Sequence, residues 1–115
     1  MPFLKITTSV SIEPENRSCL LKTLSSVISK KLGKAEQYVM VGIESASLLM
    51  SGEESPAAMV ELRSLGGLDP EMNKELSSAI CDALHDHAGI PPERVFINFS
   101  QWKRSDWGCN GTTFA

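Results

Sequence analysis

The sequence predicts an α+β fold, a two-layer α/β sandwich of duplicated β-α-β units whose four-stranded mixed sheet carries two helices on one face. Three observations predict it. Slid on itself by 56 residues, the chain repeats its pattern of residue types over nearly its full length. Each half reads as strand, helix, strand. Each helical stretch is bracketed by a proline at its start and a glycine at its end.

The first strand is the alternating run from Phe3 to Ser9, and its counterpart in the second half runs from Met59 to Leu65. An acidic residue and a proline follow, Glu13-Pro14 and Asp69-Pro70. Proline suits the first helical turn, where its missing N–H would have no partner anyway. Apolar residues then recur at helical spacing, Leu20, Leu24, Val27 and Ile28 in one half and Met72, Leu76, Ile80, Ala83 and Leu84 in the other. That stripe predicts two helices facing one core. Gly33 and Gly89 are placed to stop them in the left-handed conformation. The halves close with Val39-x-Val41-x-Ile43 and Val95-x-Ile97-x-Phe99.

A strand–helix–strand unit needs a crossover that packs its helix on one face of the sheet. Two such units leave the opposite face bare. Glu61 and Arg63 alternate with Val60 and Leu62, so that face carries charge, while Met40, Phe96 and Phe99 are expected to make it partly apolar. An uncovered face and unpaired edges are best resolved by association with further copies. Trp102 to Ala115 lies outside the repeat; Asn110-Gly111 reads as a tight turn flanked by Trp107 and Phe114, a tail expected to dock. The organisation is one domain over 1–115, with pseudo-repeats of about 1–56 and 57–101 and a tail at 102–115.

Bulk composition excludes several classes. A hydrophobic fraction of 42% and a charged fraction of 22% describe an ordinary globular domain. A net charge of −3 argues against a nucleic-acid groove or an anionic membrane surface. Three cysteines, Cys19, Cys81 and Cys109, form no CxxC pair, and the N-terminus lacks a signal-like core, so a cytoplasmic location with reduced thiols is expected. His85-Asp86-His87 lacks a third ligand at credible spacing for zinc, Gly66-Gly67 lacks phosphate-loop spacing, and there is no G-x-S-x-G turn.

What remains is PF at the start, GKAEQYV at 33–39, ELRSLGGL at 61–68, PPERVFINF at 91–99 and NGTTFA at the end. In this order the motifs resemble the macrophage migration inhibitory factor family over essentially the whole chain. The resemblance implies a homotrimer around a central channel, with Glu61 and Arg63 pointing into it and active sites between subunits. It implies a cofactor-independent keto–enol tautomerase of phenylpyruvate-type α-keto acids. The catalytic base would be the Pro2 amine after removal of Met1. It further implies Lys34 as the cation for the substrate carboxylate, the Leu65 backbone N–H as a contact with Ser64 before it, and Asn98 from the neighbouring subunit. Phe96, Trp107 and Phe114 would line the pocket. No metal or cofactor is called for, and export without a signal peptide is a family trait.

The residues themselves also admit plain structural readings: Lys34 as a helix-end cation, Leu65 and Phe114 as core, Asn98 as a strand-end amide. The chemistry asked of Pro2 is modest. An α-amino group with a pKa of about 8 is roughly 10% neutral at pH 7, and a drop of about two units makes roughly 90% of it available as base. Lys34 and apolar walls from Leu65, Phe96 and Trp107 would work in that direction. Four departures from the family pattern bear on efficiency: Phe96 in place of a tyrosine, Arg63 in place of a histidine, Cys109 in place of a tryptophan, and Ala57-Ala58-Met59-Val60 in place of the CxxC of some relatives. Two other readings stay open: a cytokine-like binding protein with a vestigial pocket and a protein partner, and a monomeric ferredoxin-like sandwich.

Overall fold

A computed structural model describes all of residues 1–115. The major strands are β1 (Pro2–Thr8), β2 (Met40–Ser45), β3 (Ala58–Ser64) and β4 (Val95–Gln101), and the helices are α1 (Pro14–Leu32) and α2 (Pro70–Ala88). The sheet order is β2-β1-β3-β4, with β1 parallel to β2, β3 parallel to β4, and β1 antiparallel to β3. This is the mixed sheet expected from two β-α-β halves placed side by side.

Strand parity divides the sheet. Leu4, Ile6, Val60 and Leu62 face the helices and are wholly buried. Against them pack Leu20, Leu24 and Ile28 of α1 and Leu76, Ile80 and Leu84 of α2, also wholly buried. Ala83 joins them, while Val27 and Met72 end half-buried at the margins of the predicted stripe. Pro14 and Pro70 open the two helices, and Gly33 (φ 63°) and Gly89 (φ 67°) close them in the left-handed region that a Cβ disfavours. Asp69 caps α2 by accepting from the Met72 N–H at 2.7 Å, whereas Glu13 makes no such side-chain bond at α1.

The opposite face is bare in the single chain. It carries Phe3, Lys5, Met40, Glu44, Met59, Glu61, Arg63, Phe96 and Asn98; Met40 and Phe96 are 65% and 63% exposed. Phe99 does not belong there, contrary to the sequence expectation. It is three residues from Phe96, an odd separation that turns it to the helix side, where it packs against the core.

One device was not legible in the sequence. Arg94 donates to the carbonyls of Pro56, Met50, Glu53 and Ser55 at 2.9–3.2 Å, pinning the loop between β2 and β3. Thr8, wholly buried, ties the end of β1 to the same loop through a 2.8 Å bond to the Ala57 carbonyl.

Truncating Leu62 to alanine should lower the free energy of unfolding by about 3 kcal/mol, as expected for a large-to-small change in a closed core. Lys74→Ala, on the exposed side of α2, should change it by less than about 0.5 kcal/mol. Urea midpoints at unchanged m-value measure both.

Candidate functional site

The β1–β3 pairing places the chain's start at one end of the sheet, with Pro2 opposite Ser64 and Phe3 opposite Arg63. Around this corner lies a cleft of about 450 Å³. Met1, Pro2 and Phe3 form one side. Tyr38 and Met40, leading into and starting β2, form a second, and Trp102, Trp107 and Phe114 from the tail form a third; Arg63, Asp106 and Cys109 add polar groups.

The tail folds back as the sequence predicted. Gly108–Cys109 (β5) and Thr112–Thr113 (β6) pair around Asn110-Gly111, both at positive φ (52° and 79°). The Trp102 N–H donates to the Ser64 carbonyl at 2.9 Å, and the Phe114 N–H to the Trp107 carbonyl at 3.2 Å. The Arg104 Nε donates to the Phe114 carbonyl at 2.7 Å, and Phe114 meets Tyr38 edge-on at 6.3 Å between centroids. The tail therefore docks on its own chain.

Lys34 follows the α1 stop, and its Nζ donates to the Leu65 carbonyl at 3.0 Å. This contact joins the first half's helix end to the bend after β3. It also brings a cation close to the chain's start. The N-terminal amine, carried here by Met1, is held below its ordinary value of 8.0, first by burial and then by the positive charges of Lys34 and Arg104. The corner thus depresses an amine pKa in the direction that base chemistry needs. Lys34, which the sequence reading sets beside the Pro2 amine, acts here on the amine of Met1. Arg104 was missed, because only the folding-back of the tail brings it there.

Of the residues singled out from sequence, Pro2, Trp107 and Phe114 line the cleft, and Lys34 and Leu65 meet beside it. Ser64 does not face it: the side chain is wholly buried, and its hydroxyl donates to the Gly66 carbonyl at 2.7 Å, holding the bend. Phe96 and Asn98 are not brought to it within one chain. They pair with Met59 and Glu61 on the bare face, away from the Ser64 end of β3. Phe96 therefore does not wall the amine of its own chain. Arg63 is on the bare face as expected, but it lies in the cleft. Tyr38, Phe3, Met40 and Trp102 complete the cleft without a sequence signal beyond their aromatic or apolar character.

The fold and this corner define the class: a duplicated β-α-β-β-α-β protein whose cleft is built around its own first strand. The family model for macrophage migration inhibitory factor matches residues 1–115. A macrophage migration inhibitory factor homolog of Trichuris trichiura is 40% identical over 110 residues, covering 94% of this chain and 96% of the relative. One of Brugia malayi is 33% identical, covering 99% of each. The solved structure of a Prochlorococcus marinus homologue superimposes with a TM-score of 0.93 at 35% identity, over 98% of this chain and 99% of that one. The chain belongs to the macrophage migration inhibitory factor family.

Lys34→Met and Arg104→Met should each raise the amine's pKa toward 8.0, read by pH-dependent labelling of the N-terminus. Because the native pKa is lowered, the unfolded chain binds more protons between that value and 8.0. The group's contribution to stability is therefore fully present above 8.0 and is lost as pH falls through the native value.

Proposed function

We propose that the chain, with Met1 removed, is a cofactor-independent keto–enol tautomerase of small aromatic α-keto acids of the phenylpyruvate type. The observation that carries the reading is the corner itself: a chain start whose amine, carried here by Met1, is held below its ordinary value by burial and then by Lys34 and Arg104, in a cleft walled by Trp107, Phe114 and Tyr38.

In the enolising direction the neutral Pro2 nitrogen takes a proton from the carbon between ring and carbonyl. The C–H electron pair forms the C=C bond, and the carbonyl oxygen receives a proton from solvent. Ketonisation runs the same steps in reverse, the protonated Pro2 returning its proton to carbon. Lys34 holds the substrate carboxylate and sets that carbon over the amine, so positioning and pKa depression come from one cation. Phe96 and Asn98 enter from a neighbouring copy. Their place on the bare face, with Met40 and Phe96 exposed, supports a homotrimer in which that face is covered.

A second reading is favoured by Phe96, whose ring has no hydroxyl to offer a substrate: a cytokine-like protein acting through a protein partner. Partner capture that persists in Pro2→Gly, together with absent turnover, would establish it.

Pro2→Gly in Met1-free protein should lower phenylpyruvate turnover by about 100-fold or more, the scale of a lost general base. Turnover equal to the parent would end the proposal. Sedimentation should give three copies of the 12.5 kDa chain.

A further inference from the structure

Arg63 is the cation of the cleft that the proposed chemistry leaves unused. It stands opposite Phe3 across the β1–β3 pair, and its guanidinium carbon lies 5.9 Å from the ring centroids of both Phe3 and Trp102. Trp102 is itself held, its indole N–H donating to the Ser100 hydroxyl at 3.0 Å and its backbone N–H to the Ser64 carbonyl at 2.9 Å. The two rings favour this place for the guanidinium by cation–π contact, which uses none of its five N–H donors.

Nothing in the chain takes those donors up. The ion pairs are Lys5–Glu44, Lys74–Glu71 and His85–Asp86, and Arg63 makes no side-chain hydrogen bond. Asp106 also lines the cleft but does not pair with it. Lys34 and Arg104, by contrast, each donate to a carbonyl of the chain. Arg63 is exposed to solvent at the cleft, so its planar fork of donors is open to an anion entering there. Lys34 already answers the single carboxylate of a simple α-keto acid.

We propose that Arg63 is a specificity-determining residue that binds a second carboxylate, so that the cleft favours α-keto acids bearing another carboxylate at the end remote from the keto acid group. This inference rests on the tautomerase reading for the first carboxylate and deepens it for the second.

The test compares binding of two inert acids, phenylacetate and 4-carboxyphenylacetate, to Met1-free protein by calorimetry. The parent should bind the diacid about tenfold more tightly, the scale of one charge-assisted contact at a partly exposed site. In Arg63→Met, which keeps an apolar chain between the two rings, the affinity ratio should collapse to about one; Arg63→Lys should retain part of it. A ratio near one in the parent, a ratio unchanged in Arg63→Met, or no binding of either acid overturns the proposal. Phenylpyruvate turnover by the same parent preparation reports separately on the tautomerase reading. Diacid preference without turnover would end that reading and leave the anion subsite standing.

Discussion

The antiparallel register of β1 on β3 is the constraint from which the rest of the molecule follows. It sets Leu4 against Leu62 and Ile6 against Val60 on the helix side, closing the core. The same register, read at the strand end, sets Pro2 opposite Ser64 and Phe3 opposite Arg63. A slip of one residue would send every one of these side chains to the other face. Core and cleft are therefore not independent: burying four aliphatic side chains fixes where the chain's first residues stand and which cation stands beside them.

Around that register the two halves contribute unequally. The first supplies the N-terminal strand and, through the α1 stop, Lys34. The second supplies the bend after β3, whose Leu65 carbonyl receives Lys34 and whose Ser64 anchors the tail through Trp102. The duplication builds a near-symmetric scaffold, and the unduplicated tail breaks the symmetry by covering only the Pro2 end. That covering supplies three of the aromatic walls and, with Arg104, one of the charges that depress the amine. Two hydrogen bonds tie distant segments together around this cleft, Lys34 Nζ to the Leu65 carbonyl and the Trp102 N–H to the Ser64 carbonyl.

The cations of this corner are held by different physical means. Lys34 and Arg104 are held by carbonyls, which spend a donor of each and bring positive charge toward the amine. Arg63 lies against aromatic rings, contacts that leave its donors free. The difference is one of donors: Lys34 and Arg104 each give one to the chain, while Arg63 gives none. It also gives a physical meaning to an arginine at a position where better-known relatives have histidine: a charge independent of pH, with a planar fork of donors.

The sequence by itself determined the elements and their order. Proline at N1, glycine at the helix stop, the stripe from Leu20 to Ile28 and the period-2 strands are local signals, each set by backbone freedom or by the side on which an apolar residue falls. The duplication then limited how two such units pair. Pro2, Lys34 and Phe114 were legible because motif order marks them, and Trp107 because it flanks the Asn110-Gly111 turn; three of the four line the cleft while Lys34 stands at its edge. Tertiary structure alone decided the rest. Ser64 is lost to the cleft because its hydroxyl satisfies a buried bend. Arg94 spends its donors on a loop some 40 residues earlier in the chain. Arg63 and Arg104 reach the corner only once β3 and the tail are in place, for a charge acts over ångströms in space whatever its separation along the chain.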